Sequence, residues 1–279
     1  MSGRISSYGR DGLTFDVLDE GPADGDPVVL LHGFPERATA WRAVAPLLHA
    51  SGLRTYAPDQ RGYSPRARPF GRWHYRLGAL ADDVVALIDE IGRPVHLVGH
   101  DWGAIVGWRV AAQRPDLVRT WTAVSVPHPM AFVRAAVTST QGLKSWYMGL
   151  FQIPFLVELL ARLFPGVFLS SMKRAGMTAE EVRLCRAEIL EYGALPGGLG
   201  WYRALPLIGS AAHDTNVSVP TTLVWSDEDV ALGRRGTELT PRHVSGPYEF
   251  VELTGVSHWI PTQAPEALAD AILARVVTG

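Results

Sequence analysis

Short, continuous apolar runs along the chain alternate with stretches in which apolar residues recur every three to four positions. Pro27–Leu31, Thr55–Pro58, Pro94–Gly99, Thr120–Val126, Thr221–Ser226 and Tyr248–Leu253 are β-rich runs bounded by glycine, proline or polar turns. Runs this brief, with no polar face, predict strands buried on both sides. Ala38–His49, Leu80–Ile91, Trp102–Gln113 and Pro265–Val276 show helical spacing. Strand, helix and strand in succession predict a mostly parallel sheet flanked by helices on both faces, an α/β fold.

The alternation stops after Val126. From 128 to 216 the pattern is helical only, with Pro154, Pro165, Pro196 and Gly197-Gly198 as breaks. A helical segment inside an α/β chain predicts an insertion. The expected organisation is a core of residues 1–127 and 217–279, with 128–216 as a cap over the C-terminal edge of the sheet, where open α/β folds bind ligands. The most apolar stretch, Tyr147 to Leu169, is interrupted by Glu158, Arg162 and two prolines, which argues against a membrane span of roughly 20 uncharged residues.

Composition narrows the partners. The 279 residues are 47% hydrophobic, enough for a large core, and carry 26 basic against 28 acidic side chains. A net charge of −2 supplies no global attraction to nucleic acid or an anionic membrane, so a small molecule is the expected partner. Arg61, Arg66, Arg68, Arg72 and Arg76 are interleaved with Phe70, Trp73 and Tyr75, but they precede a helix in an acidic protein and read as a surface loop. Cys185 is the sole cysteine, which excludes an intramolecular disulfide and a cysteine metal site and fits a reducing compartment. The opening MSGRISSYGRDG has no apolar h-region, so the expectation is a cytoplasmic protein without a secretory signal.

The chemistry concentrates in Gly99-His100-Asp101-Trp102-Gly103, which follows the apolar VHLV and opens a helix. The string fits the nucleophile elbow G-x-Nuc-x-G, with Asp101 at the centre where serine is more familiar. On these five residues alone, Asp101 could equally be an N-cap. Other segments shift the balance. His32-Gly33-Phe34-Pro35 follows the Pro27–Leu31 run, where folds of this kind carry one oxyanion N–H; the donors would be the backbone N–H groups of Phe34 and Trp102. Asp227-Glu228-Asp229 follows TTLVWS, and His258 follows the run ending at Leu253. The order Asp101, Asp229, His258 is nucleophile, acid, histidine. Among nine histidines, His258 is singled out by that position, whereas His100 and His128 read as packing or hydrogen-bonding residues.

Together these segments resemble the epoxide hydrolases of the α/β-hydrolase fold, over nearly the whole chain. The matching motifs are HGFP (His32–Pro35), DQRGYS (Asp59–Ser64), GHDWG (Gly99–Gly103), the acid within WSDED and GVSHW (Gly255–Trp259). The resemblance implies a helical cap between strands 6 and 7 and selects Asp229 as the histidine's acid. Ser226 stands where that family usually has Gly, and Asp227 and Glu228 remain alternatives. It also implies two cap tyrosines, Tyr147 in YMGLFQ and Tyr202 in Trp201-Tyr202-Arg203. Gly200 replaces the Asn often found before that Trp, a departure expected to loosen the support of Tyr202.

The activity implied is conversion of an apolar epoxide and water to a vicinal diol through an alkyl ester on Asp101, with no metal or organic cofactor. Phe34, Trp102, Met148 and Phe151 are the expected substrate contacts, and Met130, Phe132, Leu150 and Phe155 suggest further apolar lining. The oligomeric state stays open between monomer and homodimer. Alternatives are a haloalkane dehalogenase with the same nucleophile, disfavoured because Phe34 stands where Asn would bind halide, and a binding protein on the same scaffold. A fluoroacetate-type dehalogenase is disfavoured by Trp102, and a serine esterase by Asp101 at the elbow.

Overall fold

The computed structural model describes residues 3–207 and 216–278; the C-terminal end expected for the cap, 208–215, lies outside the described residues. One sheet contains β1 (Ser7–Arg10), β2 (Leu13–Glu20), β3 (Asp26–Leu31), β4 (Leu53–Pro58), β5 (Val95–His100), β6 (Val118–Val124), β7 (Thr221–Ser226) and β8 (Tyr248–Leu253). Their order is β1-β2-β4-β3-β5-β6-β7-β8. β1 pairs antiparallel with β2, and β2 antiparallel with β4; the other neighbouring pairs are parallel. All six strands expected from the apolar runs are present, but β8, at the edge of the sheet, is not buried on both sides as expected: its residues are half-buried or exposed.

The β1–β2 hairpin is an addition to the expected elements. It closes through Asp11 and Gly12, both at positive φ (51° and 74°), the conformation that Asp-Gly hairpin turns favour. Phe15 and Val17 of β2 are buried while Leu18 is exposed, so this strand, next to the sheet edge, alternates where the central strands are continuous.

Helices α1 (Ala45–Ala50), α2 (Leu77–Ile91), α3 (Trp102–Gln113) and, from the C-terminal end, α13 (Pro265–Thr278) cover the sheet. α2 and α3 share one apolar core with the inner side of β5 and β6; α1 and α13 share the other. The helix expected over Ala38–His49 is divided into a 3-10 turn at Ala38–Arg42 and α1. Pro46, in the first turn of α1, has no N–H to continue the upstream helical ladder.

The segment between β6 and β7 holds α4 (Pro129–Thr138), α5 (Gln141–Lys144), α6 (Tyr147–Phe151), α7 (Leu156–Leu163), α8 (Pro165–Arg174), α9 (Ala179–Cys185) and α10 (Leu195–Arg203). α11 (Arg234–Leu239) and α12 (Ile260–Gln263) follow β7 and β8. No helix among the described residues is long and apolar enough to cross a membrane.

Two expected breaks prove to be helix starts. Pro165 and Pro196 occupy the first turns of α8 and α10, where the missing N–H leaves no helical bond unmade. Gly197 and Gly198 lie inside α10. A Cβ on Gly197 would overlap the backbone of Gly62, so the glycine lets α10 rest directly on the Arg61–Ser64 loop. Trp201 locks that contact by donating its indole N–H to the Arg61 carbonyl at 2.8 Å. The loop is itself held by the buried, doubly hydrogen-bonded pair of Arg61 with Asp83 at 2.7 Å. The next turn of α10 therefore carries Tyr202 over the sheet.

β3 leads outward to β4, whereas β5 lies on the other side of β3. The reversal of strand order opens a crevice at the C-terminal ends of β3 and β5. The two connections that emerge there contain His32–Pro35 and Asp101.

Candidate active site

Asp101 occupies the turn from β5 into α3 with φ 51° and ψ −120°, a backbone region that costs a non-glycine residue about 1–3 kcal/mol unless its surroundings hold it. Neighbouring glycines allow that hold. A Cβ on Gly103 would overlap the Leu31 carbonyl oxygen, and one on Gly33 would overlap the Asp101 side chain. Although Asp101 stands at the N-cap position of α3, its side chain makes no capping hydrogen bond. Its Oδ1 instead accepts the Phe34 backbone N–H at 2.7 Å. The HGFP loop thus meets the Asp101 carboxylate, with its Phe34–Pro35 bond cis. Trp102 opens α3 beside it.

His258 faces the other oxygen. Its Nε2 lies 3.6 Å from Asp101 Oδ2, and its Nδ1 donates to Asp229 Oδ2 at 2.6 Å. Asp229 is locked by its second oxygen, which accepts the N–H groups of Ala231 and Leu232 at 2.8 Å each. The alternatives fall away here. Asp227 and Glu228 are exposed, and Asp227 accepts the Gly255 N–H at 2.7 Å. His100 lies buried behind His258, with Nε2 2.9 Å from the His258 carbonyl and Nδ1 3.1 Å from Glu36, a packing and hydrogen-bonding position as expected. His128 acts similarly as the cap of α4, accepting the Met130 N–H at 3.2 Å.

Burial opposes charge throughout the site, yet the partners outweigh it. Burial disfavours the imidazolium of His258, but Asp229 and Asp101 hold its pKa well above the ordinary histidine range. Burial likewise disfavours the Asp101 carboxylate, and His258, His100 and the Phe34 N–H hold its pKa below the usual value. The pairing thus favours the carboxylate form of Asp101 and the imidazolium form of His258.

Tyr147 on α6 and Tyr202 on α10 line the same cavity as Asp101. Burial, reinforced for each by the Asp101 charge, pushes both phenols above their ordinary pKa, so both remain protonated donors. Tyr202 is wedged edge to face among Trp102, Phe34 and Phe151, at centroid distances of 5.0, 5.3 and 4.9 Å. The expected loosening at Gly200 does not occur. The Tyr75 ring fills the space beside Gly200, 2.9 Å from where a Cβ would stand, and Tyr202 is buried.

The cavity measures about 220 Å³. Trp102, Met148, Met130 and Phe132 line it as expected. Phe34 and Phe151 do not: their rings support Tyr202 from behind, and Phe155 is exposed. Leu150 is also absent from the lining. Sequence reasoning missed Ile105, Trp108 and Arg109, which α3 presents to the cavity. Ile105 and Arg109 fall four and eight residues after Asp101, on the helix face that the elbow orients.

The chain belongs to the alpha/beta hydrolase family, whose model matches residues 28–271. Within that family it stands among the epoxide hydrolases. It is 34% identical to epoxide hydrolase 2 of Caenorhabditis elegans over 91% of this chain and 74% of the relative. It is 30% identical to epoxide hydrolase A of Mycobacterium tuberculosis, covering 94% of each. An AB hydrolase superfamily protein of Bacillus subtilis is 36% identical over 94% of both chains. The crystal structure of an epoxide hydrolase from Vigna radiata superposes with a TM-score of 0.83 at 28% identity, covering 98% of this chain and 97% of the other.

Proposed function

We propose that the protein opens an apolar epoxide with water to give a vicinal diol, through a covalent ester on Asp101. The observation that carries this reading is that Asp101 and the two tyrosines, Tyr147 and Tyr202, line one apolar cavity, where burial and the Asp101 charge favour the protonated phenols. A strained ring is attacked at carbon, and its oxygen leaves as a strongly basic alkoxide. Two phenols at that oxygen polarise it before attack and supply a proton as the bond breaks. We also propose that residues 128–216 form the cap that supplies these phenols, with 1–127 and 217–279 as the catalytic core.

The proton and electron count closes. Asp101 Oδ2 forms a C–O bond as the ring C–O bond breaks, and a tyrosine proton goes to the oxygen. Esterification neutralises Asp101, so His258 loses one of the two anions that hold its proton. His258 releases that proton to restore the phenol, and the free imidazole then takes a proton from water. The resulting hydroxide adds to the Asp101 carbonyl. The oxyanion develops on the oxygen bonded to the Phe34 N–H, with the Trp102 N–H as its second donor. Collapse expels the diol, whose oxygen takes the added hydroxide's proton, and returns the carboxylate–imidazolium pair. Asp229 fixes the Nδ1–H tautomer of His258 throughout. A carboxylate suits this reaction because its ester is hydrolysed at the enzyme's own carbonyl, whereas serine would form an inert ether.

A single turnover in heavy-oxygen water tests the proposal. The label is expected in the Asp101 carboxylate, and an unlabelled Asp101 accompanied by diol would overturn the ester mechanism.

A further inference from the structure

Among the described residues, the cavity has one charged lining residue besides Asp101, Arg109. It lies on α3 two helical turns beyond Asp101, with Ile105 between them, and all three face the cavity. The Arg109 Nε is buried without a hydrogen-bond partner. No carboxylate pairs with the Arg109 guanidinium among the described residues. Arg109 is half-buried; a guanidinium cannot shed its charge, and burying its Nε against apolar side chains removes hydration that no described residue replaces.

The surroundings compound the positive potential. Gly78 in the first turn of α2 stands beside the guanidinium, and a Cβ there would lie 3.7 Å from Nη2 of Arg109. That turn has neither a capping side chain nor an acidic residue, so a positive helix end adds to the cation. The opposite end of the cavity has the reverse sign. Two aspartates, Asp101 and Asp229, there flank the single histidine His258. The cavity is therefore an apolar channel with a negative catalytic end and an unanswered positive end.

We propose that Arg109 receives the carboxylate of the substrate, so that the enzyme acts on apolar epoxides bearing an acid group. This rests on the epoxide-hydrolase reading and deepens it. The field orients such a molecule one way: the carboxylate is repelled from Asp101 and drawn to Arg109, leaving the ring at the nucleophile. Eight positions along the axis of α3 separate the two backbone positions by about 12 Å, comparable to an extended chain of roughly ten atoms. The substrate class is thus a medium-length epoxy acid rather than a compact neutral epoxide.

Two readouts test the assignment. Trp102 and Trp108 line the cavity, so intrinsic fluorescence reports binding of the unreactive probes octanoate and octan-1-ol. The protein is expected to bind octanoate at least tenfold more tightly at pH 7 and low salt, a preference that Arg109→Leu removes and Arg109→Lys largely keeps. In turnover, the ratio of kcat/KM for a terminal medium-chain epoxy acid to that for its methyl ester should fall at least tenfold in Arg109→Leu, chiefly through KM. Equal binding of both probes by the parent, or equal weakening of both in Arg109→Leu, would overturn the proposal. If the parent opens neither epoxide yet keeps the octanoate preference, the epoxide reading fails and the anion site stands.

Discussion

Nε2 of His258 stands 3.6 Å from Oδ2 of Asp101, an ion-pair distance and too long for a hydrogen bond. The outer oxygen of Asp101 is thereby neutralised without being tied, and it can advance on a carbon atom while Oδ1 stays anchored to the Phe34 N–H. Under the proposed mechanism, once that oxygen is esterified the same histidine faces a neutral ester instead of an anion. The change in its charge environment converts an acid into a base.

Replacing His258 by Gln should separate the two half-reactions. Asp101 still attacks, but no base activates water, so the ester accumulates. Intact-protein mass spectrometry is expected to show a stoichiometric adduct of one substrate mass, with diol formation reduced by about 10²–10⁴. Diol production at the parental rate would remove His258 from the mechanism.

The tyrosines should act at ring opening alone. Tyr147→Phe and Tyr202→Phe are each expected to slow single-turnover alkylation by at least tenfold, and the double variant by about 10²–10⁴. Hydrolysis of a preformed ester should change little. An unaltered alkylation rate in the double variant would show that the phenols only pack.

Stability should follow the same ion pair. The raised pKa of His258 gives a contribution that is complete below its unfolded value of about 6.5 and is lost as pH rises through the folded value. The lowered pKa of Asp101 gives one that is present above about 3.9 and is lost as pH falls through the folded value. The stability gap between the parent and His258→Gln, measured by urea titration, is therefore expected to be widest between about pH 4 and 6.5 and to narrow in alkali. A gap that grew with alkalinity would mean that His258 is neutral in the folded protein.

Gly33→Ala tests the elbow from a residue with no side-chain chemistry. Its Cβ would overlap Asp101, so the carboxylate must move or the loop must shift. Overpacking of this kind costs about 1–3 kcal/mol, visible as a lower urea midpoint, and alkylation should slow at least tenfold. Parental alkylation would show that the loop yields without disturbing the nucleophile.

Much of this was legible in the sequence, for physical reasons that differ by element. β3 through β8 were visible as continuous or bounded apolar runs. β1 and β2 were not, because an edge hairpin buries only Tyr8, Phe15 and Val17 in the core, although Asp11-Gly12 marks its turn. Asp101 could be placed because it follows β5 directly, and His258 because it lies just beyond the last strand, whereas Asp229 was singled out from Asp227 and Glu228 only by the family resemblance. The cavity wall was harder to read. Whether an aromatic on a short helix faces substrate or supports a neighbour depends on helix rotation, so Phe34 and Phe151, expected at the substrate, instead hold Tyr202. Arg109 lies on a well-predicted helix, but its lack of a partner is a property of the folded surroundings.

The docking of α10 on the Arg61–Ser64 loop through Gly197 places a seam through the reaction. Asp101, His258, Asp229 and the Phe34 N–H all belong to the sheet and its connections, whereas both phenols arrive with the helical insertion. Under the proposed mechanism, ring opening needs groups from both sides, and ester hydrolysis needs only the sheet side. Parting of the seam before attack would silence the nucleophile by removing its acids. Parting after attack would admit water and leave every hydrolytic group in place. The join between helix and loop therefore makes commitment to the covalent step depend on closure, while release of the diol does not.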